Sequence, residues 1–321
     1  MKILVTGCAG FIGYHLIQRI MNNRKYKIYG IDNLNSYYDV GLKKERLKII
    51  KTKDKNFKFF KIDISDKNKI FKNFSIYKYD VIINLAAQAG VRYSIKKPSV
   101  YFESNIEGFF NLIQASVKYK IKHFVFASTS SVYGDNKKFP LKENFNTDKP
   151  LSFYAASKKC NEVMAYSYSY IYKLPCTALR FFTVYGPYGR PDMALFKFTN
   201  RIMKNKNIDL YNNGNHIRDF TYIDDLTKYV EGIITKIPKK NIPYDVYNIA
   251  SGKPKTLKYF VSLIEKTLKI KPIIRYKDKQ QGDVHKTHAD ISKIKSKLKN
   301  FKKTDIKVGV KSFIDWYKRS I

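Results

Sequence analysis

Lys2-Ile3-Leu4-Val5-Thr6-Gly7-Cys8-Ala9-Gly10-Phe11-Ile12-Gly13 is the stretch that decides the fold. An uncharged run of apolar and β-branched residues, Ile3 to Thr6, reads as a buried strand. Glycines end it, and a helical apolar pattern opens at Phe11. Gly7, Gly10 and Gly13 permit a tight turn, let backbone N–H groups approach a pyrophosphate, and let helix pack closely on strand. The helix N-terminus at Phe11 and Ile12 adds positive potential toward phosphates. Asp32 ends the second strand, 19 residues after Gly13. A carboxylate there accepts hydrogen bonds from adenosine ribose hydroxyls and repels a 2′-phosphate. Asn33 follows, with no Arg nearby to hold such a phosphate, so the expected cofactor is NAD.

Outward from this turn, strands are predicted at 2–6, 27–32, 57–63, 80–86, 123–128 and 175–182. Helices are predicted between them at 11–22, 43–51, 67–73, 100–119 and 154–172. The apolar runs are continuous, as in parallel strands covered on both faces. Strand and helix alternate, which predicts an α/β fold with a doubly wound parallel sheet, and ligands at the carboxyl ends of its strands. After about residue 183, Pro187, Gly189, Pro191, Gly214, Pro238, Pro243, Gly252 and Pro254 break the pattern. Helices at 194–204, 224–235, 257–268 and 306–319 remain. The expected organisation is a dinucleotide-binding domain over 1–182 and a smaller mixed α/β substrate domain over 183–321, with some elements returning to the first. The lysine-rich stretch 293–303 reads as a solvated helix face.

Composition narrows the function. Hydrophobic residues make up 44% of 321, enough for a large core and too many for disorder. No run approaches the ~18 apolar residues that span a bilayer, and no signal-peptide pattern precedes the first strand, so a cytoplasmic protein is expected. Cys8, Cys160 and Cys176 are odd in number and lack metal-ligand spacing, which argues against a disulfide framework or a metal centre. The net charge of +36 invites a nucleic-acid reading. Only ten of the 62 basic residues are Arg, the lysines are scattered, and no nucleic-acid-binding motif accompanies them. The positive field favours anionic ligands instead.

Tyr154-Ala155-Ala156-Ser157-Lys158 places a phenol and an ammonium on one helix face. A neighbouring cation stabilises phenolate and lowers the phenol's pKa from about 10. The Tyr then removes a hydroxyl proton while hydride leaves for a nicotinamide. Alone, this spacing is common in a Tyr-rich helix. Ser128-Thr129-Ser130-Ser131-Val132-Tyr133-Gly134 gives it weight, because a hydroxyl cluster at the end of the fifth strand faces the ligand crevice.

The Gly-x-x-Gly-x-x-Gly turn, Asp32, the hydroxyl cluster and Tyr154-x-x-x-Lys158, in that order, resemble the NAD-dependent epimerase/dehydratase family. This family is the extended branch of the short-chain dehydrogenase/reductases. Longer strings look like its UDP-glucuronate 4-epimerases. They are Asp32-Asn33-Leu34-Asn35-Ser36-Tyr37-Tyr38-Asp39-Val40, Ala86-Ala87-Gln88-Ala89-Gly90-Val91-Arg92-Tyr93-Ser94 and Arg180-Phe181-Phe182-Thr183-Val184-Tyr185-Gly186-Pro187. Gly189-Arg190-Pro191-Asp192-Met193-Ala194-Leu195-Phe196-Lys197-Phe198 and Arg218-Asp219-Phe220-Thr221-Tyr222-Ile223-Asp224-Asp225 extend the likeness over nearly the whole chain.

The resemblance implies roles. Tyr154, Lys158 and Thr129 would be catalytic, with Thr129 bonding the sugar O4. Asp63-Ile64, Leu85-Ala86-Ala87 and Phe182 would flank the cofactor, and Asn105 would be structural. Ser130, Ser131 and Thr183 would hold the uronate carboxylate, so that the C5–C6 bond of the 4-keto sugar stays out of line with the carbonyl and CO2 is retained. Gln88, Arg92, Arg190, Phe196 and Lys197 would line the substrate, and Arg218 would pair with the UDP diphosphate. Gln280-Gln281-Gly282-Asp283 stands where many relatives carry a second Arg clamp, and Arg275 is not expected to reach that place. A homodimer through a four-helix interface and a place in polysaccharide biosynthesis are implied as well. Rival readings are a 4-epimerase for UDP-glucose or UDP-N-acetylglucosamine, disfavoured by Thr183 in place of Asn, and a UDP-glucuronate decarboxylase, disfavoured by Ser131 in place of Glu. A non-enzymatic NAD-sensing or nucleic-acid-binding protein is disfavoured by Tyr154, Lys158 and Thr129 together.

Overall fold

The computed structural model describes residues 1–278, 280, 282–298 and 301–320. The chain begins β1 (Lys2–Thr6), α1 (Phe11–Ile20), β2 (Lys27–Asp32), α2 (Val40–Lys53), β3 (Lys58–Lys61), α3 (Lys67–Tyr77) and β4 (Val81–Asn84). It continues through α4 (Val91–Lys96), α5 (Pro98–Tyr101), α6 (Gly108–Lys118), β5 (His123–Thr129), α7 (Phe153–Tyr172) and β6 (Cys176–Phe181). The second half holds β7 (Thr183–Tyr185), α8 (Ala194–Met203), β8 (Ile208–Tyr211), β9 (Ile217–Arg218), β10 (Phe220–Tyr222), α9 (Ile223–Ile234) and β11 (Tyr244–Ile249). Then come β12 (Lys255–Thr256), α10 (Leu257–Leu268), β13 (Ile274–Lys277), α11 (Ser292–Lys297) and α12 (Ile306–Ser320).

Seven parallel strands form the central sheet in the order β11-β6-β5-β4-β1-β2-β3. Alternation along β1 sends Ile3 and Val5 into one core layer and Leu4 into the other. The first layer packs α1 and α9 through Leu16, Ile17, Val230 and Ile233; the second packs α3 and α6 through Ile70, Phe74, Leu112 and Ile113. The sheet is thus covered on both faces, as its continuous apolar strands require. Strand order reverses between β1 and β4, which opens a crevice at their carboxyl ends. A third cluster, built around Phe198, Leu210, Phe260, Phe313 and Trp316, forms the smaller lobe beside that crevice.

Three local expectations are corrected. The helix predicted over 100–119 is broken: α5 passes into a π-helical turn, Phe102–Glu107, before α6. A side chain at Gly108 would collide with Ile64, so the tightly packed backbone after the turn requires glycine there. The helix predicted at 43–51 starts at Val40, because Asp39 caps it by accepting from the Gly41 and Leu42 N–H groups. Short β7, β8, β9, β10, β12 and β13 were not predicted; they pair as three two-stranded ribbons too brief for periodicity to reveal. The helix read into 293–303 is α11, and Lys299 and Asn300 lie outside the described residues. In the second half, β11 returns to the central sheet beside β6, and α9 packs on α1.

Candidate active site

The turn after β1 is shaped by what glycine lacks. Gly7 has φ +68°, and a Cβ on it would sit 2.7 Å from the Ala86 nitrogen. A Cβ on Gly13 would run into the Gly7 carbonyl, so α1 approaches the turn only because hydrogen stands there. The first N–H groups of α1 lack intrahelical partners and are available to an anion. Asp32 is buried and accepts from Ala9 N at 3.1 Å and Leu34 N at 2.8 Å. Burial raises its pKa, opposed by those N–H groups and by the charges of Lys43 and Arg46. Arg46 comes within electrostatic reach of Asp32 from α2. Its NH1 and NH2 groups bond Ala9 O, the Tyr38 hydroxyl, Tyr188 O and Gly189 O, so none of these is turned to a 2′-phosphate. Asn33 donates to Asp63 at 2.7 Å; burial works to raise the Asp63 carboxyl, but hydrogen bonds from Asn33 and Ser65 outweigh it and hold the pKa low.

Thr129 ends β5, and Ser152 caps α7 by accepting from Ala155 N, which sets Tyr154 in the first turn of that helix. Tyr154 and Lys158 share its inward face. The Lys158 ammonium donates to Ala127 O at 3.0 Å, and burial lowers its pKa to about 8. The Thr129 hydroxyl bonds the Tyr154 phenol and lies 3.2 Å from the Ser131 hydroxyl. In the chain alone the expected lowering of the phenol does not occur. Burial raises the Tyr154 pKa, and the opposing influences are Thr129 and the Arg190 charge. Lys158 is turned toward the strand instead. Asn105 stands behind: it accepts from Gln88 N at 2.8 Å and donates to Gln88 O and Ser157 Oγ, bracing the loop after β4 against α7. The π-helical turn places it there, a common use of such turns.

The glycine turn, Asp32, Asp63, Thr129, Tyr154 and Lys158 border one cleft of about 1080 Å³. Gly7, Gly10, Phe11, Ile12, Gly13, Asp32, Asn33, Asp63, Ile64, Leu85, Ala86, Ala87 and Phe182 line one part of it; Gln88, Arg92, Ser130, Ser131, Thr183, Arg190, Phe196, Lys197 and Arg218 line the other. Thr129, Tyr154 and Lys158 also line it, while Asn105 sits behind the wall. The glycine cradle, the buried ribose-seeking carboxylate and the apolar flanks of Ile64 and Leu85 fit NAD.

Arg190, expected to line the substrate, borders the cleft and is paired there. Its Nε donates to Asp192 at 2.9 Å, and its guanidinium lies 5.9 Å from the Tyr37 ring. Arg92 pairs with Asp283 at 2.9 Å over the Tyr211 ring, and Arg218 donates to Ile217 O and His285 O. Burial, with Arg92 adding to it and Asp283 opposing, lowers the Arg218 pKa to about 10. Arg275 is exposed on β13 outside the cleft, so it supplies no second clamp; Gln281 lies outside the described residues. Tyr37, Tyr38, Lys43, Tyr93, Asp192, Tyr211 and Asp283 also line the cleft and had been given no role. Lys43 gave the weakest signal, since a lysine one turn into a helix reads as solvated, yet it is buried with its ammonium on Asn35.

Comparison with known proteins agrees with this geometry. The chain is 45% identical over 99% of its length to "Protein CapI" of Staphylococcus aureus, covering 98% of that protein. It is 40% identical over 99% of its length to the UDP-glucuronate 4-epimerase of Thermodesulfobacterium geofontis, covering 96% of it. The crystal structure of the UDP-glucuronic acid 4-epimerase of Bacillus cereus, in complex with UDP-glucuronic acid and NAD, superposes with a TM-score of 0.93 at 32% identity, over 100% of both chains. The model of the NAD dependent epimerase/dehydratase family matches residues 3–250. On the glycine cradle, the Tyr154–Lys158 pair and this match, the chain belongs to the NAD dependent epimerase/dehydratase family.

Proposed function

We propose that the protein catalyses the NAD-dependent 4-epimerisation of UDP-glucuronate to UDP-galacturonate. The observation that carries this reading is the meeting of Thr129, Tyr154 and Lys158 where the cofactor part of the cleft joins the part rich in hydroxyls and guanidinium groups. Bound NAD supplies a hydride acceptor that becomes a donor when the sugar turns over. Thr129 orients the C4 hydroxyl, and Tyr154 removes its proton. Thr129 and Arg190 stabilise the phenolate against the burial that opposes it, and the Lys158 ammonium joins them in the NAD-bound enzyme. Ser130, Ser131 and Thr183 hold the carboxylate, so that the 4-keto sugar keeps its C5–C6 bond. Arg218 and Arg92 hold the diphosphate, the pivot about which the keto sugar presents its other face. Tyr154 then returns the proton, with C4 inverted.

Incubation with UDP-glucuronate and NMR of the products tests the reading. UDP-galacturonate is expected; a UDP-pentose with CO2 would replace it by a decarboxylase.

We further infer a homodimer. Phe110 on α6 and Phe153, Val163, Tyr166, Tyr170 and Ile171 on α7 are exposed large apolar side chains on two helices packed side by side. A second copy presenting the same helices would cover them in a four-helix interface. Light scattering in solution checks it, with a twofold mass expected. No helix among the described residues is long and apolar enough to cross a membrane; a cytoplasmic location and a place in polysaccharide biosynthesis are inferred from the nucleotide-sugar reading alone. Cell fractionation tests that location.

A further inference from the structure

Among the described residues Arg46 is the largest fully buried side chain, with 0% of its surface exposed. Its guanidinium donates only to neutral acceptors: Ala9 O at 2.9 Å, the Tyr38 hydroxyl at 2.8 Å, Tyr188 O at 2.7 Å and Gly189 O at 3.4 Å. Its Nε–H has no partner. No carboxylate among the described residues forms an ion pair with it, whereas the other buried arginine, Arg180, is locked to Glu162. The Asp32 carboxylate feels the Arg46 charge, but it feels Lys43 more strongly. An unpaired buried cation is costly, so a fold that keeps one needs an anion to offset it.

The four hydrogen bonds point to where that anion sits. Ala9 lies inside the Gly7–Gly13 turn, so Arg46 reaches the turn from behind, outside the cleft wall. Tyr38 does line the cleft. Its oxygen accepts from Arg46, which leaves its own O–H free to donate forward, and a donor polarised by a guanidinium is strengthened. The second guanidinium nitrogen holds the Tyr188–Gly189 backbone, directly before Arg190. One side chain thus ties the phosphate turn to the segment that carries the substrate-side arginine.

We propose that Arg46 is the buried cation that makes the glycine turn an anion site, acting on the cofactor pyrophosphate through Ala9 and Tyr38 without touching it. It is a positioning residue, and the inference rests on the NAD reading of the cleft. At an effective dielectric of about 20, one charge acting over several ångströms is worth about tenfold or more in affinity for a dianionic ligand.

The test measures NAD affinity by calorimetry and adenosine affinity by ligand-observed NMR, using the full chain freed of nucleotide. Arg46→Met is expected to weaken NAD about tenfold or more and leave adenosine, which has no phosphate, within about twofold. Arg46→Lys, assayed at about pH 6 so that a buried ammonium stays charged, is expected to hold NAD within about threefold. NAD binding by Arg46→Met within about twofold of the unsubstituted chain would overturn the proposal. So would an equal loss of NAD and adenosine, the mark of a merely structural residue. If Arg46→Met does not fold, Arg46→Lys decides alone: retained NAD supports the proposal, and a loss of about tenfold with adenosine unaffected sinks it. Failure of the unsubstituted chain to bind NAD would instead remove the cofactor reading itself.

Discussion

Lys158 Nζ donates to the carbonyl oxygen of Ala127 at 3.0 Å, two residues before Thr129 on the same strand. The ammonium is thereby fixed beneath the hydroxyl that bonds Tyr154, in a position too buried for easy charging. Its pKa of about 8, lowered from 10.5 by burial, has consequences of opposite sign for activity and stability. The ammonium is present below pH 8 and lost above it, so kcat is expected to fall as pH rises through about 8. Between pH 8 and 10.5 the unfolded chain holds a proton that the folded chain has released, so this group's contribution to stability rises with pH there. A pH–rate profile and thermal melts across the same range check both.

Lys158→Met follows from the same contact. Removing a buried ammonium that burial disfavours is expected to raise the melting temperature by a few degrees, while kcat falls by about 10²-fold or more. A drop in both would mean that the bond to Ala127 outweighs the burial of the charge.

Tyr154→Phe removes the hydroxyl proposed to exchange the proton and leaves the ring. A fall in kcat of about 10²–10⁴ with KM little changed is expected by NMR turnover assay. Thr129→Val should give a smaller loss, since it removes one hydrogen bond to the phenol and keeps the shape.

Ser131→Ala is expected to loosen the grip on the carboxylate. The product mixture should then contain CO2 and a UDP-pentose at a higher ratio to UDP-galacturonate than the unsubstituted enzyme gives. An unchanged ratio would remove Ser131 from the set that protects the C5–C6 bond.

Glu162 accepts from Arg180 Nε at 2.9 Å and NH2 at 2.8 Å, and from the Ser128 hydroxyl beside Thr129. Both side chains are about 95% buried, at 4% and 5% exposure. Glu162→Gln strands the guanidinium without its counter-charge, so a loss of about 3–5 kcal/mol by denaturant titration is expected.

The sequence was most legible where one local rule dominated. Ile3 to Thr6 read as a strand because an uncharged apolar and β-branched run suits a parallel strand covered on both faces, and Gly7 and Gly13 read as a turn because a side chain at either would collide with backbone. Tyr154 and Lys158 read as a pair because helical spacing alone brings them together. Legibility failed where distant segments decide the outcome. Lys43 and Arg46 were given no role, since a basic residue on a helix of weak amphipathicity carries no local signal of burial; only the fold shows that the glycine turn and the Tyr188–Gly189 backbone enclose Arg46. The π-helical turn over Phe102–Glu107 was hidden because the apolar pattern of a π-turn differs from that of an α-helix by one residue. Asp192 and Asp283 had been quoted but given no partners, since Arg190 finds its carboxylate two residues away and Arg92 finds one 191 residues away.

The pairing of β11 with β6 carries a consequence for biosynthesis. During translation the strand Cys176–Phe181 leaves the ribosome with one flank open, and Tyr244–Ile249, which closes it, emerges only after more than sixty further residues. Until then the nascent sheet offers an unpaired apolar rim, the kind of surface chaperones engage. A fragment ending at residue 182 would keep that rim permanently, so the nucleotide-binding half is not a separable module. It is completed by chain synthesised after the start of its neighbour.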